Sequence, residues 1–456
     1  PPLFDSSYYP RMQQQLTAMT EESKEIVDLI RNDIGSVVLE RTELMDQAKN
    51  ELEKNQILIV AGEPGSGKSA IAKDLLYEYS GNLIALKADE LSEGSLVDIL
   101  KSKGVNMNVT EFFNHFPFNS KHIIYVDALE KLLEGEGKPF QQLLKTLKKH
   151  PDIKLIASCR KANFHLLEIK YFSDQQFYKL DIGFLSDSEL NKIVEKLSEL
   201  KPIIGNQRLS ELIKVPKYLD FAYRAIKVSG KNFSETTEAE FVQDLWDIII
   251  ENKLEDFSGG MAQKRKEAFV KIAVLRAKKM TPFVAVTGCD PEAVEKLEKE
   301  NIVVKSKGNL FAPAHAVLED WSLVRYVDSC FEQSSDVNAF FIALGTEPAM
   351  RRAYRLWVQN VLGVGDKEKI SFFSANLTDA TIERFWQDES LIALFHSDYS
   401  ETFFLENESR LMDDDWSLFL RIVHILRTAC RENFRNSWAE RHYVPVGPGW
   451  DMVIRF

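Results

Sequence analysis

At 456 residues the chain exceeds one ordinary domain and points to about three, each able to bury a core. Its 45% hydrophobic and 28% charged residues describe a globular chain without long disorder, and no apolar run approaches the roughly 18 residues that cross a bilayer, so no membrane role is expected. A formal net charge of −12, with no basic tail or stripe, disfavours a protein that lives on nucleic-acid phosphates. Cys159, Cys289, Cys330 and Cys430 lack CxxC spacing, so neither a zinc site nor a disulfide framework is indicated and a reducing, cytoplasmic compartment is expected. The chain opens on Pro1 and ends at Phe456 inside an unfinished pattern, so it is expected to be a piece of a longer protein.

In chain order, residues 16 to 53 read as helix, with Ile26, Ile30, Val37, Leu44 and Leu52 on an interrupted apolar face. Strand-like runs follow at Ile57 to Ala61, Leu83 to Leu86, His122 to Val126, Lys154 to Ala157 and Phe177 to Leu180, with helix-length segments between them. That alternation predicts an α/β fold, a parallel sheet covered on both faces. A strand lies in sequence between the Gly-rich loop described below and the acidic strand at His122 to Asp127, which points to the additional-strand (ASCE) type of P-loop NTPase sheet. Ser186-Asp187-Ser188-Glu189 is a capping box that opens a helix to Leu200, which Pro202 stops. A small helical lid runs on through the break at Val215-Pro216. Helices at Phe241 to Ile250, Lys264 to Arg276 and Pro291 to Glu300 precede two strand-like pieces, Ile302 to Lys305 and Leu310 to Ala312, joined by Ser306-Lys307-Gly308-Asn309, which reads as a winged helix. From about 336 onward the pattern is helical. The expected boundaries are a helical linker over 1–35, a P-loop NTPase core over 36–184, a lid over 185–235, a winged helix over 236–333 and an all-α C-terminal region over 334–456.

The chemistry centres on Gly62-Glu63-Pro64-Gly65-Ser66-Gly67-Lys68-Ser69, a phosphate-binding loop between an apolar strand and a helix opening with Ala70. Its glycines let backbone N–H groups turn toward phosphate oxygens, and the new helix offers its unpaired amides to the same anion. Lys68 is placed to reach β- and γ-phosphates, and Ser69 to hold a Mg²⁺ ligand position. Asp127, at the end of Ile123-Ile124-Tyr125-Val126-Asp127, is the expected metal carboxylate, a helix-capping role being the alternative. Glu130 can orient or deprotonate an attacking water, or be a solvated helix residue. Ser158-Cys159-Arg160 sits at the carboxyl end of the next strand, where Arg160 can stabilise γ-phosphate charge or simply start a surface loop. Arg41 lies just ahead of the first sheet strand and could reach the nucleotide from that side. A lone His315 beside apolar residues suits a core or capping histidine.

These pieces, in this order, resemble the STAND class of signal-transduction NTPases, which includes the NACHT proteins, over residues 36 to 330. The resemblance implies that Pro216 packs on the base, that His315 touches the phosphates of bound ADP, and that ATP/ADP exchange with Mg²⁺, or slow regulatory hydrolysis, drives oligomerisation and effector activation. It further implies a homo-oligomer and a protein trigger, a phage protein being one candidate, since the layout is most similar to bacterial anti-phage (AVAST-type) members. The chain departs from the commonest pattern in having Ala128 rather than Gly after Asp127, and no Thr before Ser158. The competing reading is an initiator-like AAA+ ATPase whose winged helix binds DNA.

Overall fold

In the computed structural model the described residues are 8–78, 82–92, 94–105, 107–114, 122–133, 135–255, 260–306, 308–377, 379–435 and 441–455. The chain divides into two compact units, residues 1–263 and 264–456. Among the described residues no helix is long and apolar enough to cross a membrane.

The first unit is built on apolar runs that pair as strands: β3 (Ile57–Gly62), β4 (Leu83–Lys87), β5 (His122–Asp127), β6 (Ile153–Arg160) and β7 (Tyr178–Ile182), preceded by the short pair β1 (Asp33–Ile34) and β2 (Val37–Val38). The five long strands form one parallel sheet in the order β4-β5-β6-β3-β7. Strand β6 therefore stands between the phosphate-loop strand and the acidic strand, as the additional-strand reading expects. Side chains alternate across the sheet because successive Cβ atoms point to opposite faces. Ile57, Ile59, Ala61, Ile124, Val126, Leu155 and Ala157 join one core. Leu58, Val60, Ile123, Tyr125, Ile156 and Leu180 join the other, packed with Ile71, Ala72 and Leu75 of the phosphate-loop helix (Lys68–Glu78). Burial on both faces is why these strands read as continuous apolar runs.

The N-terminal segment differs from the single helix expected over 16 to 53. A helix covers Tyr8–Asp28, β1 and β2 form an antiparallel pair, and a second helix covers Thr42–Lys54. The signal was Gly35-Ser36, a two-residue turn flanked by pairs that favour extension, and the helical period on either side hid it. The first helix places Leu16 and Met19 in the sheet core, and Ser23 Oγ accepts a hydrogen bond from the Ala85 N–H of the outermost strand at 2.9 Å.

Beyond β7 the capping box forms as expected: Ser186 Oγ accepts from the Glu189 N–H at 3.3 Å, and the Ser186 N–H donates to Glu189 Oε2 at 2.7 Å. The helix it opens ends at Lys196, short of Leu200. Pro202 does not stop it; it sits in the first turn of the next short helix (Lys201–Ile204), where a missing N–H costs nothing. Pro216 likewise begins the helix Pro216–Ser229.

In the second unit a helix ending at Lys279 leads to β8 (Val284–Ala285), a helix Pro291–Lys299, and β9 (Val303–Ser306) and β10 (Leu310–Pro313). These strands make an antiparallel sheet ordered β8-β10-β9, so the expected hairpin gains a third strand too short to show an alternating pattern. Lys307, in the expected turn, lies outside the described residues. The Arg265 guanidinium, 1% exposed, donates to both carboxylate oxygens of Glu300 at 2.6 and 2.7 Å. After the helix Ala316–Gln333 the chain is a succession of helices to Ala429, followed by a hairpin of β11 (Arg431–Arg435) and β12 (Arg441–Pro445). Aromatic rings fill the helical core: Phe340 lies 5.0 Å from Phe341 and 5.9 Å from Trp357, and Phe341 stacks on Trp386 at 5.1 Å. Phe340→Ala should lower the stability of this unit by about 3–5 kcal/mol in chemical denaturation, since the fixed neighbouring rings cannot collapse into the space.

Candidate phosphate-binding site

Strand β3 ends at Gly62, residues Glu63 to Gly67 turn, and Lys68, Ser69 and Ala70 form the first helical turn. Three glycines are dictated by geometry, Gly65 through its φ of +82°. A Cβ on Gly62 would lie 2.6 Å from Ser66 Oγ and 2.9 Å from the Ile182 carbonyl oxygen, and Gly67 has φ of +94°, a region other residues rarely adopt. Inside the loop the Ser66 N–H donates to the Glu63 carbonyl at 3.1 Å, and Lys68 Nζ folds back onto that same oxygen at 2.8 Å. Among the described residues Ser66 Oγ is buried without a hydrogen-bond partner.

The loop is braced from outside. Arg41, 6% exposed, donates to the Ser66 carbonyl at 3.2 Å, to the Gly183 carbonyl at 3.1 Å and to Glu189 Oε1 at 3.2 Å. One guanidinium thus ties together the phosphate loop, the end of β7 and the helix that the Ser186 capping box opens. With the Ser66 carbonyl held by Arg41, the planar trans peptide turns the Gly67 N–H the opposite way. On the lid side Pro216 is buried at the start of its helix, and the next residue, Lys217, donates its backbone N–H to the Gly65 carbonyl at 3.3 Å. The Lys217 side chain pairs with Asp220 at 3.0 Å and lies over the Phe221 ring, and burial lowers its pKa below the usual lysine value.

Asp127 ends β5 on the same face as Tyr125 and the phosphate-loop helix, because residues two apart in a strand share a face. Its Oδ1 accepts from Tyr125 OH at 2.8 Å, Ser158 Oγ at 2.5 Å and Ser69 Oγ at 3.2 Å. Ser158 in turn accepts from the Ala128 N–H at 2.9 Å. Burial raises the Tyr125 pKa well above the usual phenol value, so its hydroxyl stays a donor. Ala128 has φ of +60°, which gives a physical reason why glycine suits this position.

Glu130 and Arg160 meet directly. The Arg160 backbone N–H donates to Glu130 Oε2 at 3.1 Å and its Nε to Oε1 at 3.2 Å, with both side chains about 90% buried. Burial lowers the Lys68 pKa, Glu130 and Asp127 oppose that shift, and Arg160 adds to it, so all four charges belong to one site. The neighbouring Cys159 thiol is pushed far up by burial and is no nucleophile.

The structure therefore brings together Gly62 to Ala70, Asp127, Glu130 and Arg160, with Arg41 and Pro216 bordering the loop. His315 belongs to the second unit, where it caps the helix Ala316–Gln333 by accepting the Val317 N–H on Nδ1 at 3.2 Å. Sequence reasoning missed Tyr125 and Ser158 as partners of Asp127, and Lys217. The strand alternation that places Tyr125 beside Asp127 was the available signal; Lys217 had none beyond adjoining Pro216.

The donor set suits Mg²⁺. Ser69 Oγ and the Asp127 carboxylate are hard oxygen ligands lying side by side. Among the described residues no cluster of three or more metal-ligating side chains exists, so such an ion would complete its shell with phosphate oxygens and water, as Mg²⁺ does. Replacing Ala128 with Gly should raise stability by about 0.5–1 kcal/mol, the left-handed penalty less the added chain entropy, read as a higher denaturant midpoint.

Residues 40–200 match the model of the family described as Novel STAND NTPase 3. No curated protein sequence matches the chain. Among solved structures, similar ones include the Walker-type ATPase of Pyrococcus abyssi (14% identity, 65% of this chain and 99% of that one, TM-score 0.35). A STAND protein with a tetratricopeptide repeat sensor from Pyrococcus horikoshii is similar at 12% identity over 88% of this chain and 59% of its own, TM-score 0.37. The Aeropyrum pernix Orc1 protein in complex with DNA gives 12% identity, 65% and 95% coverage and a TM-score of 0.35. Scores this low assign neither fold nor function.

Proposed function

Since residues 40–200 form a STAND-class P-loop NTPase domain, we propose that the chain is a nucleotide-dependent switch that binds ATP and ADP with Mg²⁺ and hydrolyses ATP slowly. The observation that carries this reading is the meeting of Lys68, Ser69, Asp127, Glu130 and Arg160 where β3, β5 and β6 end. The loop amides and Lys68 hold the phosphates, and Ser69 and Asp127 hold the cation. Bound Mg²⁺ would supply positive charge against the leaving and transferred phosphoryl oxygens. Arg160 can exchange Glu130 for a phosphate oxygen, and Glu130 is then released to orient a water and take its proton. In the described state each neutralises the other, which suits a site that holds nucleotide and turns it over slowly. Arg41 and Lys217 link the loop to the lid, so a change at the phosphates is felt by the lid backbone.

The wider proposal is that occupancy controls self-association of cytoplasmic copies in response to a protein trigger, as part of antiviral defence. It rests on the family resemblance. The DNA-binding alternative is opposed by the helix Pro291–Lys299 before the hairpin, whose Glu292, Glu295 and Glu298 outnumber Lys296 and Lys299, with both lysines paired to glutamates one turn away.

Lys68→Ala should abolish binding of a fluorescent ATP analogue, and retained affinity would refute the site. Glu130→Gln should leave ADP affinity within about twofold while lowering phosphate release by about 100-fold or more, the usual worth of a positioned base. Unchanged phosphate release would remove Glu130 from the chemistry.

A further inference from the structure

Asp127 receives an unusual number of donors on one atom. Tyr125, Ser158 and Ser69 hydroxyls all point at Oδ1, and among the described residues no hydrogen bond reaches Oδ2. A carboxylate is free to rotate about its last bond, a broad and roughly two-fold torsion, so a metal-binding Asp needs outside donors to fix its plane. Three donors on one oxygen do this and leave the other oxygen to face a cation or its water.

We infer that Tyr125 is a positioning residue for the metal carboxylate, acting through its hydroxyl on Asp127 Oδ1. The inference rests on the reading of Asp127 as a Mg²⁺ residue. Each of the three donors comes from a different place. Ser69 would be needed at the metal itself, where its oxygen would serve as a ligand while its hydrogen is donated to Asp127. Ser158 also satisfies the Ala128 N–H, so its hydroxyl is committed to the backbone after Asp127. Among the described residues the Tyr125 hydroxyl satisfies no backbone group and serves only this cluster of side chains. Its ring packs in the core against the phosphate-loop helix, a task a phenylalanine ring performs equally, and its hydroxyl donates to Asp127 while lying within reach of the Ser69 and Ser158 hydroxyls that serve the same oxygen. A fully buried phenol needs a polar partner, so a tyrosine here is explained by the carboxylate two residues on. Strand alternation puts the two side chains on one face, and the parallel pairing of β5 with β6 brings Ser158 to the same oxygen.

The test is Tyr125→Phe, which removes one hydroxyl and keeps the ring. Binding of a fluorescent ADP analogue is measured by titrating Mg²⁺, and separately in excess chelator. The expected result is a three- to tenfold rise in the Mg²⁺ concentration giving half-maximal tight binding, with chelator-state affinity unchanged within twofold. In an Asp127→Asn background the same substitution should have no further effect on the Mg²⁺ dependence. Should Tyr125→Phe be recovered unfolded, Ser158→Ala, which removes another donor from the same oxygen, is expected to shift the Mg²⁺ dependence in the same direction. An unchanged Mg²⁺ midpoint in the folded variant, or equal weakening with and without Mg²⁺, overturns the inference, because a packing role alone would produce it. Absence of any nucleotide binding by the unsubstituted protein overturns the function proposed above instead, and the inference with it.

Discussion

Parallel pairing of β6 with both β3 and β5 is the constraint on which the rest of the first unit depends. In that register Gly62 lies opposite Arg160, and Val126 opposite Ala157, so three strands end at one edge with their last residues within reach of each other. Ser158 can then serve the carboxylate and the backbone of the neighbouring strand, and Arg160 can meet Glu130 just beyond it. A slip of one residue would send every one of these groups to the opposite face. The two apolar cores hold the register, because each strand divides its side chains between them.

A second theme is internal compensation of charge. Lys68 rests on a carbonyl of its own loop, Arg160 on Glu130, and Arg41 on two carbonyls and Glu189. Buried charges are expensive unless paired, and breaking a pair exposes the full cost of the group left behind. An incoming anion must therefore offer at least as good a partner as the one displaced. Under the function proposed above, discrimination between di- and triphosphate would be a property of the Glu130–Arg160 pair as much as of the loop.

Legibility in the sequence followed the range of the interactions. The phosphate loop, the five sheet strands and the capping box at Ser186 are written locally, in periodicity and in fixed spacings, and all could be read directly. The additional-strand type, in which the acidic strand is not the immediate neighbour of β3, was expected from the strand intervening in sequence, and the pairing of β6 with both is what the sheet shows. The pair β1 and β2 escaped because two-residue strands carry no period, and the flanking helices imposed theirs. Arg41 could be noticed but its partners could not, since Glu189 lies 148 residues away. Tyr125 was read as one more apolar strand residue, and only the fold turns its hydroxyl into part of the site.

The N-terminal helix has a consequence for how the domain is delimited. The family match begins at residue 40, yet Leu16 and Met19 belong to the sheet core and Ser23 occupies a backbone donor of β4, the rim of the sheet. A protein cut at the family boundary would keep the whole phosphate loop but bare that rim, and an unguarded rim of this kind recruits strands from other molecules. Insolubility of such a truncation would therefore reflect a lost cover, with the nucleotide chemistry itself intact.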